Sequence, residues 1–234
     1  MNYNQGYYLH EKSNRDLNIV LTSAVELGEI DKAKYIINLP NFQNDELYPY
    51  YLNDCLGEAC IRGYFEFVKY LLTSNELKMH ADISYSVDTP LVNACEHGHL
   101  NIVQYLLTSP ELEKHADIHA QAEEPILIAC VSQHVHIIKY LLNSDDLYAH
   151  SNIQNKDGLF FYYCLHEPTK ERMEMMNFAI FEKNIPKNDI INKYLQRFPN
   201  KEVENMFLVR DMKDELNKDL KNHASNPKIK TKKI

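Results

Sequence analysis

Residues 87–107 read VDTPLVNACEHGHLNIVQYLL, and this segment contains two apolar sets with helical spacing. Leu91, Ala94 and Cys95 share one face of a first helix. The second set comprises Ile102, Val103, Leu106 and Leu107. Gly98 stands between the two sets, and glycine is the residue that most easily adopts the left-handed conformation that ends a helix. The segment therefore predicts two short helices joined by a tight turn.

This pattern recurs at intervals of 35 residues in both directions. The recurring elements are Ala-Cys at 59–60, 94–95 and 129–130, and Tyr-Leu-Leu at 70–72, 105–107 and 140–142. A further copy precedes them at Ala24, Gly28 and Tyr35, and a degenerate copy follows at Cys164. Helices this short are marginal alone, so copies must stack to bury their apolar faces. The predicted fold class is all-α, a solenoid of stacked helix-turn-helix units with a helical C-terminal cap.

Residues 89–107, TPLVNACEHGHLNIVQYLL, resemble the ankyrin signature T-P-L-x-x-A-A-x-x-G-H-x-x-I-V-x-x-L-L. The segment ADI at 116–118 is similar to the GADV that enters the hairpin finger of that family. The resemblance to the ankyrin-repeat family covers residues 17–184. The period exceeds the usual value of about 33 residues, and the Asp-Gly of the hairpin is missing at 86–88 and 121–124, so we expect blunt fingers. Lengthened repeats resemble those of ankyrin proteins of intracellular bacteria, several of which look like secreted effectors.

The repeat register predicts how the chain is divided. The predicted segments are a polar N-terminal segment 1–16, repeats at 17–51, 52–86, 87–121 and 122–156, a degenerate fifth repeat at 157–184, a helical cap at 185–222 and a disordered basic tail at 223–234. Two amphipathic helices, at about 189–198 and 202–221, make up the cap, because the end of a stacked core must be covered. The alternative is that these helices bind a partner. The tail is either solvated or a targeting signal.

The net charge, the apolar runs and the cysteine content indicate which partners and which compartment to expect. The 234 residues carry a formal net charge of -8, although five lysines and no acid lie within 221–234. An acidic body is a poor nucleic-acid binder and favours a basic partner, unless the charge only maintains solubility. No signal-peptide pattern or membrane-length apolar run is present, so no membrane is expected. Five cysteines without a secretory signal favour reduced thiols in the cytoplasm, or in a host cytosol for a secreted effector.

Several cysteine and histidine residues lie close together in the sequence, so metal binding and nucleophilic catalysis need to be considered. The candidate sets are Cys95 with His97 and His99, Cys130 with His134 and His136, and the pair Cys164 and His166. The first two cysteines fall on the predicted core face, where a free cysteine acts as a small hydrophobe, and no Cys-x-x-Cys spacing occurs. No catalytic or phosphate-binding motif is present. We therefore predict no enzyme, no catalytic residue, no cofactor and no metal; an enzyme or metal protein using the C-terminal region is the alternative.

The resemblance implies that a partner binds the concave face, which the first helices and the fingers form. On the first helices this set is Glu58, Arg62, Asn93, Glu96, His97, Ile128 and Val131, and on the fingers it is Tyr85, Asp88, His119, Gln121, Glu123 and Glu124. Ile128 and Val131 are apolar where a polar residue is usual. Together with Tyr162 and Tyr163 of the next repeat they form a predicted patch, unless the cap buries them. His80, His115 and His150 recur in the loops, and no function is assigned to them.

The predicted function is a monomeric protein–protein interaction module, a bacterial effector or an adaptor. A structural protein whose stack ends pair between copies is the alternative.

Overall fold

The computed structural model describes residues 13–153 and 158–225, with side chains described as far as residue 221. Within these ranges the chain forms thirteen α-helices, one π-helical turn and no β-strand. The chain divides into two compact units, residues 1–155 and 156–234. The predicted all-α solenoid class is confirmed. The predicted segment 1–16 and the predicted tail lie largely outside the described residues.

Four helix pairs follow one another in the first unit. The first helices are α1 (Asn14–Glu26), α4 (Tyr48–Arg62), α6 (Tyr85–Glu96) and α8 (Ala120–Val131). The second helices are α2 (Ile30–Ile37), α5 (Phe65–Thr73), α7 (Leu100–Thr108) and α9 (Val135–Asn143). A one-turn helix, α3 (Pro40–Gln43), lies in the first loop. Successive first helices pack side by side, and each second helix packs on its own partner.

Small buried side chains allow the first helices to approach each other. Ala24, Ala59, Ala94 and Ala129 occupy equivalent positions and are completely buried. The second helices supply larger groups, and Ile102, Val103 and Leu106 of α7 are likewise completely buried. Each such side chain contributes about 1.5–3 kcal/mol of hydrophobic stabilisation. Since one pair alone would leave these faces in water, the core exists only as a stack.

The sequence predicts an extended segment at 116–124, but the connections that enter α6 and α8 each contain a left-handed turn. Ser86, Val87 and Asp88 have φ values of 50°, 60° and 60°, so three consecutive residues are left-handed. Residues 121–123 repeat this conformation. The regular part of each helix begins after this turn, with Pro90 or Pro125 in its first turn. A compact left-handed turn therefore stands where the family has its hairpin, in agreement with the expectation of blunt fingers.

In the long loops after three of the second helices, a histidine ring contacts the backbone carbonyl oxygen of a residue six positions earlier. Nε2 of His80 lies 3.2 Å from the carbonyl oxygen of Ser74. The equivalent distances are 2.9 Å for His115 to Ser109 and 2.9 Å for His150 to Ser144. A ring N–H that donates to a carbonyl across six residues closes the loop. These histidines therefore stabilise the scaffold.

The second unit contains the rest of the helices. They are α10 (Leu159–His166), α11 (Lys170–Asn177), a π-helical turn (Phe178–Glu182), α12 (Asp189–Arg197) and α13 (Lys201–Ser225). Side-chain caps begin three of them, and the cap of α13 is Asn200, which accepts a hydrogen bond from the Val203 amide at 3.2 Å. Thr169 accepts a hydrogen bond from the Arg172 amide at 3.2 Å, and Asn188 accepts one from the Ile191 amide at 2.9 Å.

Helix α11 ends at Asn177, and the chain continues directly as the π-helical turn. One predicted helix of the second unit differs in length from the structure. The last helix, expected at 202–221, extends from Lys201 to Ser225. The assignment of residues 157–222 to a fifth repeat and a cap remains a prediction.

Candidate functional site

The predicted residues on the first helices all keep contact with solvent. Arg62, Glu96 and His97 are exposed, and Glu58, Asn93, Ile128 and Val131 are half-buried. We name the solvent side of α4, α6 and α8 with the two left-handed turns the first-helix face. Equivalent positions on successive helices lie 35 residues apart, so this face is built from the repeat register itself. It presents a row of solvent-accessible side chains on three successive first helices.

Hydrogen bonds organise part of this row. Arg62 Nε lies 2.7 Å from Glu58 Oε1, one helical turn earlier. Asn93 Nδ2 donates to the carbonyl oxygen of Gly57 at 3.3 Å, which joins two neighbouring repeats. Nδ1 of His97 lies 3.0 Å from the Asn93 carbonyl oxygen. Since exposed ion pairs add little stability, the Arg62–Glu58 pair fixes side-chain positions more than it holds the fold.

Two of the predicted finger residues are buried. Asp88 is 6% exposed, and its Oδ1 accepts a hydrogen bond from the Asp117 amide at 3.2 Å. Glu123 is 9% exposed, and its Oε2 accepts one from the Asn152 amide at 2.9 Å. Their carboxylates are therefore engaged within the fold, where each holds the backbone of the loop that follows.

The other finger residues are more accessible. His119 and Gln121 are exposed, and Tyr85 and Glu124 are half-buried. Nδ1 of His119 lies 2.6 Å from Glu123 Oε1, and Gln121 Nε2 donates to the Val87 carbonyl oxygen at 3.2 Å. The second of these contacts joins the two left-handed turns. The turns therefore present one connected surface.

Among the exposed apolar residues of the first unit that were missed from the sequence, three lie at the start of α4 or α6. Tyr50 is 55% exposed, Leu47 is 50% exposed and Val87 is 60% exposed. Tyr50 lies 35 residues before Tyr85, so a shift of one repeat was sufficient to find it. Val87 gave no such signal, because its exposure follows from the left-handed turn. Exposed aromatic and aliphatic groups of this kind are favoured anchors for a partner.

Tyr162 and Tyr163 belong to the second unit and are half-buried. The ring centroid of Tyr162 lies 5.3 Å from that of His166, 5.7 Å from that of Tyr194 and 5.8 Å from that of Phe198. Helix α12 thus supplies neighbours that the repeat pattern did not reveal. The patch expected to join these tyrosines to Ile128 and Val131 remains a prediction.

The cysteines are all in the core. Cys55, Cys60, Cys95, Cys130 and Cys164 are buried, and none of the five is in a disulfide bond. Burial raises the pKa of the Cys60 and Cys95 thiols. A buried protonated thiol is a poor nucleophile and a poor metal ligand. Within residues 13–153 and 158–225 no group of three or more histidine, cysteine or acidic side chains is placed to hold a metal ion.

Four histidines cluster at the turns of the third and fourth pairs. Nε2 of His99 lies 2.9 Å from the Ile61 carbonyl oxygen, and Nε2 of His134 lies 2.9 Å from that of Glu96. His97 and His136 complete the cluster. Burial lowers the pKa of His134 from its ordinary value, although its bond to Glu96 acts in the opposite direction, and the three neighbouring imidazoles lower it further.

Acidification should therefore weaken the fold at this cluster. The folded protein binds a proton at His134 less readily than the unfolded chain does. The associated stability is present above the unfolded pKa of about 6.5 and is lost as the pH falls below it. We expect the free energy of unfolding, measured with urea, to be lower at pH 5.5 than at pH 7.5. His134→Tyr, which copies Tyr64 at the equivalent position, should reduce this difference; an unchanged pH dependence would contradict the assignment.

The helix pairs present a row of accessible side chains, and accessible apolar groups lie among them. This arrangement is that of a repeat scaffold for binding other proteins. The family model for ankyrin repeats, in three copies, matches residues 21–122 and 56–155. The chain belongs to the ankyrin-repeat family, and such repeats are protein–protein interaction modules. In the same comparisons no curated protein and no solved structure matches the chain. None of the described helices is long and apolar enough to cross a membrane.

Proposed function

We propose that this protein binds a partner protein through its first-helix face, the side that is concave in ankyrin stacks. The observation that supports the proposal is the row of accessible side chains on α4, α6 and α8 in one repeat register. Tyr50 and Val87 add exposed apolar anchors beside that row. A few such anchors, surrounded by polar contacts, supply most of the affinity in typical interfaces.

The negative net charge of the chain supports the proposal that the partner protein is basic. The net charge is -8, and Glu96 is an exposed acid in the middle of the face. Glu58 and Glu124 are further acids that keep partial contact with solvent. Complementary charge would accelerate association and favour the correct partner more than it would raise the final affinity.

The proposal describes a monomeric binding protein without catalytic activity. The buried thiols support it, because Cys164 is completely enclosed while His166 is exposed, so the pair is not arranged as nucleophile and base. Five cysteines without a disulfide bond among them support action in a reducing cytosol. The lengthened repeats support an effector or adaptor role, since they resemble those of intracellular bacteria.

A capture experiment tests the proposed face. The wild-type protein is compared with Tyr50→Ser, Val87→Asn, in which both replaced side chains are exposed, so the fold should be retained. We expect a directly bound, basic partner of the wild type to lose at least about tenfold in affinity, which corresponds to about 1.4 kcal/mol. The control is Met212→Gln, Leu216→Gln on α13, which should bind normally. Full retention by the first variant would exclude this face as the site.

A further inference from the structure

Helix α13 has an apolar side that its own unit does not cover. Its inner side is in the core, where Val203 is 0% and Phe207 1% exposed. A second apolar set lies on the helix and forms what we name the exposed stripe. The exposed stripe consists of Leu208, Val209, Met212, Leu216 and Leu220, each between 54% and 61% exposed. These five are a large share of the twelve exposed large apolar side chains of the described chain, so the concentration is specific to this helix.

Helical geometry shows that the exposed stripe is continuous. An α-helix turns by about 100° per residue, so residues four apart are offset by only about 40°. Leu208, Met212, Leu216 and Leu220 form such a row, about 18 Å long at 1.5 Å per residue. Val209 falls within the same arc. Phe207 and Val203 fall on the opposite side of the helix, so the stripe and the buried face are distinct surfaces.

One border of the exposed stripe is acidic. The same geometry places three exposed acids, Glu204, Glu215 and Asp219, along the Leu208 side together with two exposed lysines, Lys201 and Lys218. We name the three acids the acidic edge, and the side that carries it keeps a net negative charge. On the other border the exposed charged positions are Glu202 and Lys213, one of each sign. A contiguous apolar surface with a charged border is typical of an interaction site.

We propose that the exposed stripe docks an amphipathic helix of a partner protein, whose apolar face is bordered by lysine or arginine where it meets the acidic edge. Parallel ridges of apolar side chains on two helices interlock over several turns. Charged residues beside such a seam determine which partner is accepted. This surface is separate from the first-helix face, and the proposal does not depend on that face.

The acidic edge argues against a second copy of this chain as the occupant. Two antiparallel copies related by a two-fold axis would bring each acidic edge against itself. Two parallel copies would place the acidic edge of each against the other border of its partner, where Glu202 and Lys213 carry one charge of each sign. Like charges in contact disfavour the antiparallel arrangement, and the parallel arrangement offers the acidic edge a single cation. An anionic membrane surface would be repelled by the same carboxylates.

The area of the stripe sets the expected affinity. Five side chains of this size, each more than half exposed, offer on the order of 100 Å² each to a partner. The resulting contact is smaller than the roughly 800 Å² per partner of a standard stable complex. We therefore expect reversible binding with a dissociation constant in the micromolar range.

Synthetic helices provide the test. The probe is a labelled peptide of about three heptads, with leucine on one face and lysine elsewhere, and its binding to the full-length protein is followed by fluorescence anisotropy. We expect saturable binding to the wild type and at least about a tenfold loss in Met212→Gln, Leu216→Gln. Glu215→Lys should weaken binding about threefold or more, and most strongly at low salt. All three substitutions replace exposed side chains, so thermal melting should be unchanged.

The controls distinguish binding at the exposed stripe from nonspecific hydrophobic binding and from binding at the first-helix face. A peptide of the same composition with its leucines scattered around the helix should bind much less, and so should one with glutamate in place of lysine. Ile19→Gln, Leu27→Gln removes two equally exposed apolar groups elsewhere, and with Tyr50→Ser, Val87→Asn it should bind as the wild type does. Equal binding by Met212→Gln, Leu216→Gln would overturn the proposal. So would a wild-type dimer in sedimentation that this variant abolishes, or binding to anionic vesicles that depends on the stripe.

Discussion

Gly98→Ala is expected to lower the free energy of unfolding by about 2–3 kcal/mol, because two effects add at this turn. Gly98 has a φ of +81°, a conformation that costs residues with a Cβ about 1–2 kcal/mol. A Cβ added there would lie 2.7 Å from Cε1 of His134, closer than packed atoms approach. The ring of His134 is held by its hydrogen bond to the Glu96 carbonyl oxygen, so a shift of the ring would weaken that bond as well. Urea denaturation at pH 7.5 measures the loss.

Two matched variants separate these effects. In a His134→Ala background the close contact is absent, so Gly98→Ala should cost only the backbone part, about 1 kcal/mol. Gln133 occupies the equivalent position of the fourth pair with a φ of +65°, and Gln133→Gly should stabilise the protein by up to about 1 kcal/mol. If Gly98→Ala left the denaturation midpoint unchanged, the left-handed turn would be misplaced.

The helix pairs could be predicted because their signals are local and repeated. Leu91, Ala94 and Cys95 show helical spacing within a few residues, and Gly98 ends the helix in its own backbone conformation. Copies at intervals of 35 residues then imply stacking, since each pair leaves an apolar face that only another pair can cover. The structure confirms this class and places the second apolar set, from Ile102 to Leu107, on α7, Leu100–Thr108.

The left-handed turns could not be predicted, because their stabilising contacts come from distant residues. Residues 86–88 contain no glycine, and Val87 at a φ of 60° contradicts the preference of a β-branched side chain. The compensating contact is the hydrogen bond from the Asp117 amide to Asp88, between residues 29 apart. No local pattern in the sequence shows that an amide of the next repeat will be available there.

The residues of the candidate site could be predicted from the sequence only in part, for the same reason. The repeat register correctly placed solvent-accessible positions such as Glu96 and His97 on the first helices. It could not distinguish an accessible acid from a buried one within a turn, and Asp88 and Glu123 proved to be buried. It also gave no information on the second unit, where Tyr162 packs against residues that follow the repeats.

Asp88→Ala is expected to destabilise the protein by about 2 kcal/mol, because it removes the acceptor for a backbone donor. The Asp117 amide would lose its 3.2 Å hydrogen bond to Asp88 Oδ1, and an unpaired donor in this setting costs about 1–3 kcal/mol. Alanine also tolerates the left-handed conformation less well than aspartate, whose short polar side chain hydrogen-bonds locally. Urea denaturation and the loss of hydrogen-exchange protection at the Asp117 amide are the measurements.

Asp88→Asn is the decisive control, because a natural version exists one repeat earlier. Asn53 occupies the equivalent position, and its Oδ1 accepts a hydrogen bond from the Asp82 amide at 2.7 Å. Asparagine keeps the acceptor, tolerates the left-handed conformation and avoids burying a charge, so it should change stability by less than about 0.5 kcal/mol. Burial raises the pKa of Asp88, which shows that its environment disfavours the charged form. Equal destabilisation by alanine and asparagine would mean that the carboxylate charge, and not the acceptor, holds the turn.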